Sequence, residues 1–377
     1  MMKAIVNGKI ITPNSILENK VLVFDKLIVG VFDVVPNECD VIDANGLYVS
    51  PGLIDVHIHG CMGFDVMDSD YNAIKVMSER IAKNGVTSFL PTTMTMDQKR
   101  ICKSLDNIRT YMRQDLEGAQ VLGAHLEGPF VNSRYKGAQN GDFIIVPCWE
   151  FIQNYIDVIR LVTYAPECDI DFVFTDAVLA TKANIKLSIG HSAAKYTEAC
   201  KAITRGCSHI THLFNAMSPL NHRDPGVVGA ALMNDVFVEL IADKVHVNPE
   251  LFQFVLDNKG ENKIVLITDS MRAGCMNDGD YDLGGQAVRV KDGAARLHDD
   301  TLAGSVLSLN DAVRNFYENS NASISSAIKM ASLNPAKSIG MDNQKGSLEI
   351  GKEADIALFD SEFRCHMTIV QGRVVFN

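Results

Sequence analysis

No stretch of this sequence approaches the ~18 consecutive apolar residues that a membrane-spanning helix needs, and no block rich in Lys and Arg occurs along its 377 residues. The first absence argues against a membrane partner. The second, with a net charge of −11, argues against nucleic acid, because binding to a phosphate backbone is driven by clustered cations. An acidic chain can still take an anionic ligand, since a local site outweighs a screened global field. The nine cysteines include no CxxC pair. Their odd number, with an N-terminus whose apolar start is cut short by Asn7-Gly8, gives the expectation of reduced thiols and a cytoplasmic setting. Internal repeats and low-complexity segments are absent as well.

What is present divides in two. The length is too great for one ordinary small core but suits a barrel of about 250 residues with a smaller domain beside it. Short β-like runs fill the N-terminal part at 4–6, 10–12, 21–24, 28–32 and 41–43, with Asn7-Gly8 as a hairpin signal. The C-terminal part repeats the character at 354–359 and 367–377. Neither end alone buries much surface, so both are expected to build one small sheet unit. Between them, apolar runs recur at 53–58, 86–90, 121–126, 160–164, 185–189, 208–211, 236–241 and 264–268. Helical spacing lies between several of them, at 71–83, 98–114, 194–204 and 249–258. Eight strands with crossovers predict a parallel barrel. The stretch from Thr211 to Val236 is poorly helical and reads as an extended functional loop. The Gly/Asp-rich segment from Thr268 to Gly304 reads as a hairpin or lid, with helices near 309–318 and 325–332 after it.

The chemistry is legible in where polar residues fall on these runs. His57 and His59 close the first, Glu127 ends the third, His191 follows the fifth, His212 ends the sixth and Asp269 follows the eighth. The carboxyl ends of barrel strands carry the active site, so one mouth collects four histidines and two carboxylates. In His57-Ile58-His59 the period of two puts both imidazoles on one side of the strand. Imidazoles with carboxylates suit Zn²⁺, Fe²⁺ or another divalent ion. Gly128-Pro129 breaks the strand after Glu127 and frees the carboxylate toward the mouth. Asp269 suits a general base acting on water beside a metal. His125 and His209 read as packing or supporting histidines, and His222, His298 and His366 as loop or surface residues.

These residues together resemble the amidohydrolase superfamily, and within it the branch that deacetylates N-acetyl-hexosamine 6-phosphates. The similarity covers essentially the whole chain. It is carried by 51–60, 125–130, Lys136-Gly137-Ala138, Gly190-His191-Ser192, 211–217, Arg223-Asp224-Pro225-Gly226, 241–246, Thr268-Asp269, 302–305 and Asn334-Pro335-Ala336. The resemblance implies a (β/α)₈ TIM-type barrel over 51–345, with a small β-sandwich from 1–50 and 346–377, and a homodimer. It implies metal ligands at Glu127, His191 and His212, and a catalytic carboxylate at Asp269. His246 takes the place of a histidine that polarises the acetyl carbonyl. Substrate contacts are implied at Ala138, Gln139, Asn215, Ala216, Leu302, Ala303 and Gly304, with Arg223 as the phosphate clamp from its own or the neighbouring subunit. One or two divalent ions are implied, Zn²⁺ first and Fe²⁺ or another second. The retained His57 and His59 offer a second position, with Glu127 as bridge. Two departures stand out: Gln139 replaces a histidine of some relatives, and Ser270 an alanine. The implied reaction removes the acetyl group from N-acetyl-D-glucosamine 6-phosphate. The galacto epimer, a dihydroorotase-like ring opening and a non-catalytic scaffold stand as alternatives. The fourth run lacks the lysine that a ring-opening enzyme commonly uses.

Overall fold

The structure, a computed structural model, describes residues 2–114 and 117–377. Eight parallel strands form the barrel: β1 (Leu53–Ile58), β2 (Val86–Pro91), β3 (Gln120–Val121 and Ala124–Glu127), β4 (Ile159–Tyr164), β5 (Lys186–Ile189), β6 (His209–Ile210), β7 (Phe237–Ile241) and β8 (Ile264–Ile267). Neighbours pair in sequence order, with a bridge between Thr92 and His125 joining the ends of β2 and β3. The ring closes where Ile58 bridges Ser270 and Asp269 N–H donates to His57 O at 2.8 Å. Closure leaves no open edge. The chain therefore folds as a (β/α)₈ barrel.

Three details depart from the sequence expectations. Asn7-Gly8 closes no hairpin: it carries the chain from Lys3–Val6 in one sheet to Lys9–Ile11 in another. The run 121–126 is not one strand: Gly123, at φ 152°, interrupts it. A side chain at that glycine would sit 2.6 Å from Val158 O. The stretch from Thr211 to Val236 is not all loop, because Gly226–Met233 is a helix. Its sequence, Gly-Val-Val-Gly-Ala-Ala-Leu-Met, is apolar all round and its first six residues are buried. A helix buried on every side has no polar face to give it a period. By contrast the helix Gln98–Tyr111 is amphipathic, and Asp97 caps it by accepting from Arg100 N–H.

The small domain is a pair of sheets. One has the order Ile28–Phe32, Val21–Phe24, Lys3–Val6, Asp40–Asp43. The other has the order Arg373–Phe376, Cys365–Val370, Ile356–Phe359, Tyr48–Pro51, Lys9–Ile11, Ile16–Leu17. Ile5, Leu22, Phe24 and Ile28 pack against Ile10, Val49, Ile356, Leu358 and Ile369 between them. Tyr48–Pro51 belongs to this domain, and the chain passes through Gly52 directly into β1.

Lys345 joins the two parts. Its ammonium, 2% exposed, contacts Gln120 of β3 and lies 2.6 Å from both Glu353 Oε2 and Asp355 Oδ2. Removing one partner of a buried ion pair leaves the rest uncompensated, which costs about 3–5 kcal/mol. Lys345→Met is therefore expected to lower unfolding stability by about that amount. Denaturant unfolding checks it, and an unchanged midpoint would show that the pair adds nothing.

After β8 an insertion forms a three-stranded antiparallel ribbon of Gly279–Leu283, Gln286–Lys291 and Ala294–Arg296. Gln286 donates to Ala138 O and ties the ribbon to the loop after β3. Among the described residues no helix is long and apolar enough to cross a membrane.

Candidate active site

A parallel barrel delivers all strand carboxyl ends to one mouth, and the six polar residues meet there. Glu127 Oε1 lies 3.2 Å from the Nε2 atoms of His191 and His212, which are themselves 3.2 Å apart. Glu127 Oε2 lies 3.2 Å from His59 Nε2. Asp269 Oδ1 is 3.2 Å from His59 Nε2 and 3.5 Å from His57 Nε2. The two β1 histidines face each other at 3.3 Å. All six are buried. His191, His212 and Asp269 each stand just past a strand end with positive φ, at 48°, 28° and 49°. Such backbone costs on the order of 1–3 kcal/mol per residue and clusters at functional sites. Here it turns each side chain inward as the ladder ends.

The outer ring nitrogens settle what the inner ones can do. His191 Nδ1 is 2.9 Å from Tyr135 O, His212 Nδ1 3.1 Å from Asn215 O, and His59 Nδ1 3.2 Å from Thr92 O. Carbonyls only accept, so each Nδ1 donates. His57 Nδ1 meets the Glu239 carboxylate at 2.9 Å. A neutral imidazole with a donating Nδ1 presents a bare lone pair at Nε2. Four such lone pairs face one another and Glu127, an arrangement that fits a divalent cation and its outer hydrogen bonds. Two donor groups result, Glu127 with His191 and His212, and His57 with His59 and Asp269. Glu127 reaches both. A third group, His57 with His125 and Glu239, does not fit. His125 Nδ1 donates to Val56 O at 3.1 Å and its Nε2 accepts from Thr163 Oγ1 at 2.7 Å, so neither nitrogen is free. Burial pushes His125 down to about 3.

The field at the mouth is set by opposed effects. Before a cation binds, burial would lower His59, but Asp269 and Glu127 hold it up at about 9, and the proton they favour is one that binding of a divalent ion would displace. Burial would raise Asp269, but His57 and His59 hold it below the ordinary carboxylate range.

Above the six residues lies a cavity of about 660 Å³, its open mouth included. Ala138, Gln139, Asn215, Ala216, His246, Leu302 and Gly304 line it. His246 Nδ1 is 2.6 Å from Asp243 Oδ2, which fixes the ring and leaves Nε2 as its free nitrogen. Gly304 stands at φ 62°, and a side chain there would come within 3.0 Å of Asp269 O. Three expected substrate residues present no free side chain to the cavity of their own chain. Ala303 is fully buried, and Arg223 is exposed and does not line the cavity of its own chain. Gln139 touches the cavity, but its amide is already engaged. Its Nε2 donates to Glu127 Oε2 at 2.7 Å and its Oε1 accepts from Thr95 N–H at 2.7 Å. His222, His298 and His366 are exposed.

Sequence reasoning missed Met94, Thr301 and Leu283 on the walls, and Asp243 and Glu239 behind the histidines. Glu239 carried a signal, a lone carboxylate inside the apolar run Phe237-Val238-Glu239-Leu240-Ile241.

A closed (β/α)₈ barrel with imidazoles and carboxylates at the carboxyl ends of β1, β3, β5, β6 and β8 is the architecture of a metal-dependent hydrolase. Residues 48–375 match the Amidohydrolase family, and the chain belongs to it. The chain is 41% identical over 334 residues to the N-acetylglucosamine-6-phosphate deacetylase of Bacillus subtilis (strain 168), covering 86% of this chain and 84% of that protein. It is 36% identical over 345 residues to the N-acetylgalactosamine-6-phosphate deacetylase of Escherichia coli O157:H7, covering 90% of each. The crystal structure of N-acetylglucosamine-6-phosphate deacetylase from Pasteurella multocida superposes with a TM-score of 0.95 at 32% identity over the whole of both chains.

Proposed function

We propose that this enzyme hydrolyses the acetamide of N-acetyl-D-glucosamine 6-phosphate, giving D-glucosamine 6-phosphate and acetate. The observation that carries the reading is the convergence of Glu127, His191, His212 and Asp269 beneath a cavity walled by His246. Glu127, His191 and His212 would hold one divalent ion, and His57, His59 and Asp269 a second, with Zn²⁺ the first choice and Fe²⁺ or another divalent ion the second. Such an ion lowers the pKa of water from about 15.7 toward roughly 7 and polarises a carbonyl.

The chain's own groups do the rest. Asp269 takes a proton from the attacking water. The C–N bond breaks as Asp269 returns that proton to the amine nitrogen. Burial would lower His246, but the Asp243 carboxylate raises it, and the imidazolium so favoured donates from Nε2 toward the acetyl oxygen and stabilises the charge that develops there. Asn215, Ala216, Leu302 and Gly304 bound the sugar, with Ala138 beside them.

Arg223 is the proposed phosphate clamp, since a guanidinium fork matches phosphate oxygens. Its exposed position supports delivery into a neighbouring subunit's cavity, and hence a homodimer. The nine cysteines are all free thiols, which supports a cytoplasmic setting. A charge-assisted hydrogen bond contributes about 1.5–3 kcal/mol, so Arg223→Ala is expected to raise KM about 10–100-fold for the phosphorylated substrate. KM for the unphosphorylated sugar is expected to stay constant. Equal KM for the phosphorylated substrate in both proteins refutes the clamp.

The galacto epimer is the second reading, favoured by the similarity to the Escherichia coli enzyme. Acetate release from both epimers, with metal analysis of the purified protein, tests the function. Turnover of neither epimer by the metal-replete enzyme would refute both readings.

A further inference from the structure

We propose that Glu239 is a positioning residue that commits His57 to the metal side of the site and so governs filling of the position formed by His57, His59 and Asp269. The inference rests on the reading of these residues as a metal centre.

Glu239 sits in the middle of β7 and is fully buried. Its Oε2 accepts from His57 Nδ1 at 2.9 Å and from His212 N–H at 3.1 Å. It thereby touches one histidine of each donor group. The other three inward histidines rest their Nδ1 atoms on backbone carbonyls, whereas His57 alone rests on a charged carboxylate. A charge-assisted bond is the stronger hold. It also makes the imidazole a better electron donor at its far nitrogen.

The hold matters at His57 because two carboxylates also face its far nitrogen. Its Nε2 lies 3.4 Å from Glu127 Oε1 and 3.5 Å from Asp269 Oδ1. Those carboxylates would favour a proton on Nε2, which would close that nitrogen to a metal. Glu239 anchors the neutral ring's proton at Nδ1, on the opposite side, so that Nε2 is the nitrogen offered to a metal.

The remaining contact argues against a purely architectural role. Glu239 Oε1 lies 3.2 Å from His209 Nε2, yet neither atom makes a hydrogen bond of acceptable geometry, and His209 Nδ1 is also unpartnered. Half of the carboxylate is thus poorly satisfied in a fully buried place. Burying a charge under those terms is costly, and an apolar residue of similar volume would serve stability better. What the carboxylate provides is the polarised His57.

The test is Co²⁺ titration of the metal-free enzyme, with metal content after dialysis measured by mass spectrometry. Wild type is expected to bind two ions. Glu239→Gln keeps the shape and an accepting oxygen but loses the charge. It is expected to fill the Glu127, His191 and His212 position normally and to bind the second ion about 10–100-fold more weakly, the usual loss when an outer-shell partner is removed. Glu239→Gln binding two ions with wild-type affinities overturns the proposal and leaves the function intact. So does a wild-type enzyme that fills one position only. A wild type that binds no divalent ion overturns the metal-centre reading, and the proposal with it. Should Glu239→Gln not fold, ¹⁵N spectra of the metal-free wild type give the answer. The proposal expects His57 with its proton on Nδ1, and a proton on Nε2 alone overturns it.

Discussion

Asp269→Asn is expected to lower kcat by about 10²–10⁴-fold, the contribution of a well-placed general base. The substitution preserves shape and hydrogen-bonding capacity at the carboxyl end of β8. It removes a group that accepts a proton and gives it back, and it weakens one ligand of the position formed with His57 and His59. His57 and His59 keep Asp269 ionised against its burial, so the base is in its active form throughout the neutral range. Glu127, His191 and His212 do not depend on it, and the ion they hold is expected to stay. An acetate-release assay beside metal analysis checks both parts. Near-normal turnover with full metal would mean that another group is the base.

Glu127→Ala is expected to be more severe. Its two oxygens face different donor groups, Oε1 toward His191 and His212 and Oε2 toward His59. Alanine withdraws the carboxylate that faces both and leaves Gln139 Nε2 without its carboxylate acceptor. Metal content is expected to fall at both positions. Lewis-acid assistance is worth several kcal/mol, so activity is expected to fall by at least about 10³-fold. Metal per chain and kcat measured on the same preparation decide the matter. Full metal content in the variant would remove Glu127 from the ligand set.

Much of this site is legible in the sequence because barrel geometry turns position into proximity. The period of two places His57 and His59 together, and Gly128-Pro129 marks where the strand carrying Glu127 stops. Each of the other three expected residues also falls at the end of an apolar run. The outer hydrogen bonds have no such local sign. Glu239 meets His57 across 182 residues, and nothing near either predicts the meeting. Gln139 reads as a substrate contact until its amide is found spanning Glu127 and Thr95. In the fold, helix Gly226–Met233 was hidden by lacking a polar face. Tyr48–Pro51 was hidden by running through Gly52 into β1, so that one apolar stretch serves two sheets.

The pairing of Tyr48–Pro51 with Ile356–Phe359 also shapes how the molecule is made. On the ribosome, the N-terminal strands can pair with one another, but Tyr48–Pro51 emerges long before its other partner, Ile356–Phe359, has been translated. That outer edge waits, unpaired, while the whole barrel is synthesised, and loop-closure entropy sets the cost of the late joining. The nascent chain thus carries a sticky strand edge through most of its elongation, which makes this stage, more than the finished enzyme, the one exposed to aggregation.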